Sequence, residues 1–301
     1  MFQVSFSNDN IIVTNPLEGM KLQSSCYRVS ALFIIGNMTI TTPLLKSAAK
    51  FGFPIILMTS TFRVYEVIGR RTEGNTALRR AQYSYDSLDI AKGIIVNKID
   101  NQISTLKKQV ERDPRTLGFI ERLSDIHEKT SVFEGDTAGL MGLEGTASRI
   151  FFEGNYNNIE WNGRKPRMKK DYVNSTLDIG YTMLFNMIDS LLNMYGFDTY
   201  VGILHKEYYM RKSLTCDLME PFRPVVDWTV RKAINLGQCK PSDFNVVNER
   251  YLLDISKNKN YISFLMKPLL EIRGDMFAYI QSYYRFFMKR RTYGTAPVFE
   301  V

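Results

Sequence analysis

Apolar residues follow two different rhythms along this chain, and the change comes near residue 85. Before it, Ile11 to Thr14, Ala31 to Ile35, Pro54 to Met58 and Phe62 to Ile68 are short apolar, β-branched or aromatic runs. Turn formers bound them: Asn15-Pro16, Gly19, Gly36-Asn37, Gly52 and Gly69. Such runs between such residues predict strands. A threonine of Thr41-Thr42 as N-cap, Pro43 in the first turn and Gly52 just past the end frame a short helix through Leu44, Leu45, Ala48 and Ala49.

After Arg79-Arg80 the period lengthens. Leu88, Ile95, Ile99, Ile103, Leu106 and Val110 recur at steps of three, four or seven and mark one face of a helix over Ser87 to Glu111, stopped by Pro114. Ser175 to Tyr195 is apolar on several sides, which predicts a buried helix with Gly196 as its C-cap. Further helices are expected over Pro224 to Leu236 and Phe264 to Met288, and no fixed-period repeat is visible. The expected fold is α+β in two domains: a small β-rich N-terminal domain over residues 1–85, with a linker at about 70–86, and a larger all-α domain over residues 86–301.

The 301 residues suffice for a real core, and 45% hydrophobic with 23% charged content excludes a disordered or fibrous chain. No stretch has the length and apolarity of a membrane span, and the first ten residues lack the pattern of a signal peptide. Cys26, Cys216 and Cys239 are odd in number and far apart, so neither a disulfide framework nor a cysteine metal site is indicated, and a reducing, cytoplasmic setting is expected. The net charge of +8 favours a polyanionic partner, although many basic proteins bind no nucleic acid. Residues 1–85 hold nine Lys and Arg against four Asp and Glu, a net +5. Local clusters stand at Arg70-Arg71, Arg79-Arg80, Arg164 to Lys170 and Lys289-Arg290-Arg291. The last follows Tyr283, Tyr284, Phe286 and Phe287, a mixture that can stack bases or simply face a core.

Candidate chemistry gathers around one of the two histidines. His127 lies in a charged stretch typical of a solvated face, and no role is assigned to it. His205 closes the apolar run Tyr200 to Leu204 and precedes Asp217 and Glu220, which a helical turn would place on one face. Two carboxylates beside an imidazole make a hard, mixed oxygen–nitrogen donor set suited to Mg²⁺ or Mn²⁺. Read alone, Asp217 could equally be an N-cap with Glu220 its capping-box partner, and His205 a core residue. Glu144 stands between Gly142 and Gly145, ahead of the helix-like run through Arg149 to Phe152, where small neighbours would admit a phosphate or where a turn opens a helix.

These segments together resemble the CRISPR-associated protein 1 family of spacer-acquisition integrases. The resemblance rests on Ile40 to Lys46 with Phe51 to Ile56, on Arg79 to Tyr83 with Ile90 to Lys92 and Lys98 to Gln102, and on Leu143 to Ala147. Gly202 to His205 and Asp217 to Pro224 complete it, so it runs over nearly the whole chain. It implies a β-rich N-terminal domain and a helical catalytic domain. It also implies Glu144, His205 and Glu220 as ligands of Mg²⁺ or Mn²⁺, with Asp217 as the acidic residue supporting the site. Further implied are a homodimer, assembly with CRISPR-associated protein 2, and double-stranded DNA as partner, both the incoming protospacer and the CRISPR leader-repeat. The expected activity is metal-dependent DNA cleavage and joining, with a 3′-hydroxyl attacking a phosphodiester. Arg149, Arg211, Lys212 and Arg223 are candidates for phosphate contacts by proximity in sequence. Two other readings stay open: a metal-dependent repair nuclease of branched DNA, and a non-catalytic DNA-binding scaffold of the same fold.

Overall fold

The computed structural model describes residues 3–15, 19–69, 74–109, 111, 113–205, 208–288 and 297–301, with the backbone alone for Met20 and Lys21. Pro16, Arg70-Arg71, Val110 and Lys289-Arg290-Arg291, all used above, lie outside the described residues.

Strand β1 (Gln3–Ser7) turns into β2 (Asn10–Asn15) through Asn8 and Asp9, both with positive φ, the two-residue loop that matches the twist of an antiparallel pair. Strand β3 (Met20–Ser25) adds to β2, and a two-residue strand β5 (Thr39–Ile40) lies parallel to β1. A second sheet is built from β4 (Leu32–Ile35), β6 (Ile55–Met58) and β7 (Val64–Ile68). Its β4 and β6 are parallel, and helix α1 (Thr42–Phe51) makes the crossover, ending at Gly52 with φ 76°. Ile55 enters the N-terminal core with Leu44 and Phe53, whereas Ile56 and Met58 enter the large core shared with the helices. Burial on both faces explains why β6 is a continuous apolar run. The second sheet thereby joins the β-rich region to the helical one.

Helix α2 (Thr76–Tyr83) occupies the expected linker and is pinned to the chain around Asp198 and Val201. Gln82 donates to the Asp198 and Val201 carbonyls at 2.7 and 2.9 Å and accepts from Asp198 N at 3.1 Å. Helix α3 (Asp89–Lys107) sits between two cores: Ile90 and Ile94 join the large one, and Ile95, Ile99 and Leu106 pack with α4 (Thr116–Ser131) and α5 (Thr137–Asn155). Helix α6 (Tyr172–Tyr195) is buried on most sides and ends at Gly196 with φ 85°, as its apolar sequence implied. Helix α7 (Ser213–Met219) passes through a 3₁₀ turn, Glu220–Phe222, into α8 (Arg223–Asn235).

The helical region departs from the all-α expectation in one place. Strands β8 (Phe244–Val247) and β9 (Arg250–Leu253) form a hairpin through Asn248 and Glu249, both at positive φ. Helices α9 (Asn258–Glu271) and α10 (Arg273–Met288) replace the single expected helix, meeting at Ile272. All three cysteines are buried and free.

Candidate functional site

Four elements meet where the candidate residues lie: α3, α5, the loop ending at His205, and the junction of α7 with α8. Asp136 caps α5, accepting from Gly139 N at 2.9 Å, so Glu144 sits two turns inside the helix and does not precede it. One turn on, Ser148 Oγ donates to Glu144 Oε1 at 2.8 Å.

Glu220 comes from the 3₁₀ turn. Pro221 ends the regular path of α7, and its carbonyl accepts from Asn101 Nδ2 of α3 at 3.0 Å. This contact fixes the turn against α3, and the far end of the chain reinforces it. Phe299 stacks on Phe222 with ring centroids 4.2 Å apart, and its backbone N and O are bound by Asn97 at 2.9 and 2.7 Å.

Between Asn97 and Asn101, Lys98 projects from α3 and places its ammonium between the two carboxylates. It bonds Glu144 Oε1 and, at 2.7 Å, Glu220 Oε2. The other oxygen of Glu220 lies 2.9 Å from Arg223 Nε, and the Arg223 guanidinium lies over the Tyr181 ring at 4.7 Å. Burial pushes Glu144 up, but the Lys98 charge and hydrogen bond, with Ser148 and Arg223, outweigh it and hold the carboxyl at about 2. Burial likewise pulls the Lys98 ammonium down, and Glu144 and Glu220 outweigh it, so the group stays protonated. Behind Arg223, burial raises Asp227 to about 7 even though Tyr181 donates to it.

Asp217 and Glu220 do not work as a pair. Asp217 is fully buried within α7 and is not a cap: Oδ2 accepts from Ile203 N and Leu204 N at 2.6 and 3.0 Å, and Oδ1 from His205 N at 3.1 Å. The same Oδ1 faces His205 Nδ1 at 2.5 Å. With a carboxylate as acceptor, Nδ1 is the donor, the orientation seen when an acid positions a metal-binding imidazole. Among the described residues, no three His, Cys, Asp or Glu side chains stand close enough together to hold a metal as placed. The site is thus two sub-clusters: Glu144–Lys98–Glu220, and His205–Asp217.

The donor chemistry fits a hard divalent cation nonetheless. Two carboxylates already converge on one cationic nitrogen, and the imidazole of the preceding loop is oriented by Asp217 of α7.

The candidate phosphate contacts divide. Arg149 is exposed on α5, and Arg211 is half-buried in the loop before α7. Lys212 is paired with buried Asp189 at 2.7 Å, and Arg223 with Glu220. Lys98 and Ser148 had no assigned role from the sequence. The available signal was a lysine at a core-facing position of α3, beside Ile94, Ile95 and Ile99, which a buried counter-charge must explain.

Comparison with known proteins places the fold and the sequence in a class. The whole chain superimposes on a casposase bound to integration product with a TM-score of 0.79, at 18% identity, covering 100% of this chain and 92% of that one. It also matches a chain of a Cas6-RT-Cas1--Cas2 complex with a TM-score of 0.81, at 22% identity, covering 99% of this chain and 35% of that longer one. At these identities the likeness is one of fold. In sequence, the chain is 29% identical over 248 residues to CRISPR-associated endonuclease Cas1 1 of Thermus thermophilus, covering 81% of this chain and 76% of the relative. The family model described as CRISPR associated protein Cas1 matches residues 2–267, and the chain belongs to that family. No helix among the described residues is long and apolar enough to cross a membrane.

Proposed function

We propose that this chain is a divalent-metal-dependent DNA nuclease and integrase of CRISPR adaptation. It inserts foreign DNA fragments as new spacers by 3′-hydroxyl attack on a phosphodiester of the leader-repeat. The observation that carries the reading is the meeting of Glu144 and Glu220 at one cationic centre, with a second sub-cluster in which Asp217 holds the His205 imidazole. Glu144, Glu220 and His205 are the residues that would hold Mg²⁺ or Mn²⁺. Such an ion supplies stabilisation of charge on the phosphoryl oxygens and lowers the proton affinity of the attacking hydroxyl.

The chain's own groups do the rest. Asp217 keeps the proton on Nδ1 of His205 and so keeps Nε2 available. Ser148 donates to one oxygen of Glu144, and Arg223 pairs by charge with one oxygen of Glu220, so both carboxylates have a partner before any ligand arrives. Arg149 and Arg211 are the candidates for contact with the DNA backbone. Assembly with a Cas2-type partner accords with the likeness in fold to a chain of a Cas6-RT-Cas1--Cas2 complex, and action on DNA with the likeness to a casposase bound to integration product; the homodimer and the double-stranded substrate are what the family resemblance implies. A cytoplasmic protein acting on intracellular DNA fits these partners.

The test is joining of a 3′-hydroxyl duplex to a supercoiled plasmid carrying a repeat. Joined product is expected with Mg²⁺ or Mn²⁺, and none in EDTA or with dideoxy ends. Full joining in EDTA would sink the metal reading. Metal-dependent nicking without joining would return the chain to a hydrolytic repair nuclease.

A further inference from the structure

We propose that Lys98 is the resident counter-cation of the site and that it makes divalent-cation binding and DNA binding depend on each other. The inference rests on Glu144 and Glu220 being metal ligands and adds a role for a residue outside that set.

Lys98 is 5% exposed, with its ammonium within hydrogen-bond reach of Glu144 Oε1 and Glu220 Oε2. Arg223 forms an ion pair with the remaining oxygen of Glu220, Nε lying 2.9 Å away without the alignment of a hydrogen bond. The two carboxylates therefore face two cations, and the cluster is neutral before any metal arrives. Asp217 stands outside this cluster, its oxygens taken by three backbone N–H groups and by His205. A divalent ion entering this cluster either shares carboxylate oxygens with an ammonium or leaves two unbalanced charges in a largely desolvated place. Both are unfavourable.

DNA changes that balance. Each phosphodiester brings one negative charge, so two phosphate groups at the site restore neutrality. The displaced Lys98 ammonium then has a phosphate oxygen in place of the carboxylate it gave up. Ser148, still donating to Glu144, keeps that carboxylate oriented during the exchange. Metal and DNA should accordingly bind together, and by linkage each must strengthen the other by the same factor. If Lys98 were only a structural ion pair, its removal would lower stability and leave that factor untouched.

The experiment counts Mn²⁺ bound to the full chain by electron paramagnetic resonance, with and without a short 3′-hydroxyl duplex, and measures duplex affinity with and without Mn²⁺. In the wild type the duplex should lower half-saturating Mn²⁺ at least tenfold, and Mn²⁺ should tighten duplex binding by an equal factor. Lys98→Met should bind Mn²⁺ without DNA at least tenfold more tightly than wild type, with the coupling factor cut to about a third of the wild-type value or less, because with Arg223 still present the bound ion leaves one unbalanced charge in place of two. Lys98→Gln, which keeps a donor but no charge, should match Lys98→Met, and melting temperatures confirm that each variant is folded. Equal wild-type Mn²⁺ affinity with and without DNA overturns the proposal, as does wild-type coupling in either variant. A Glu144→Gln control separates the failures: DNA-linked Mn²⁺ that survives it lies elsewhere, and then the ligand assignment itself falls.

Discussion

The Asp217 carboxyl serves four donors and His205 serves one, and this inequality separates their expected phenotypes. His205→Ala removes a partly exposed imidazole whose ring nitrogen holds nothing but Asp217 among the contacts described. Strand transfer should fall a thousandfold or more, consistent with loss of several kcal/mol of transition-state stabilisation. Its melting temperature should stay close to wild type. Asp217→Asn presents an amide to backbone N–H groups that need an acceptor, so it should lose both activity and on the order of 2–4 kcal/mol of stability. Thermal melts and joining assays on the same preparations check both, and a stable, active His205→Ala protein would remove His205 from the site. The spacing of Asp217 and Glu220 was legible as a carboxylate pair, but not their divergence. Pro221 ends α7 and turns Glu220 toward α3, while Asp217 faces back to the loop. Glu144 was legible as a carboxylate among glycines, yet those glycines are helical and their smallness is no turn signal here.

Elements position these residues through close approach, and Gly202 is the clearest case. A Cβ there would stand 2.5 Å from the His205 carbonyl oxygen, 2.7 Å from Ser213 Cβ and 2.9 Å from Asp217 Oδ2. The first two are backbone-linked atoms that cannot swing away, so Gly202→Ala must displace the His205 loop from α7. Joining activity should drop by at least a hundredfold, with a stability cost of roughly 1–3 kcal/mol from overpacking. Retained activity would mean that the loop adapts. The same logic explains which elements the chain announces. Strands β4 and β6 are apolar on both faces and read plainly. Strands β1 and β3 do not: Gln3–Ser7 alternates with serine, and in β3 Leu22 is largely exposed. Helix α2 was hidden inside a basic, polar linker, because side-chain hydrogen bonds to Gly196, Asp198 and Val201 hold it more than an apolar stripe does. Hairpin β8–β9 lacked the Asn-Gly signal that usually marks such a turn.

Across the whole molecule, a charge of +8 says little until the cations are sorted by what they already hold. In the basic stretch from Arg164 to Lys170, Arg164 is committed to Asp178 at 2.6 Å and Asn174 at 2.9 Å, and its guanidinium lies over Tyr181 at 5.2 Å. Lys170 pairs with exposed Glu249 at 2.6 Å. Lys165 and Arg167 are exposed, with no side-chain partner described. Only cations that gain a phosphate on binding release counterions from DNA, at a slope near −0.9 in log affinity against log salt per contact. Duplex affinity should thus weaken steeply with salt in the wild type, largely regardless of sequence. Lys165→Ala with Arg167→Ala should make that slope shallower by up to about two units, at little cost in melting temperature. Arg164→Ala should do the reverse. It strips buried acceptors of their donor and should lower the melting temperature while leaving the salt slope of the folded fraction unchanged. Filter binding between 50 and 200 mM salt, with melts alongside, distinguishes the two sets. An unchanged slope in the double variant would remove this stretch from the DNA path and leave the long-range attraction to Arg149, Arg211 and the cations of the β-rich region.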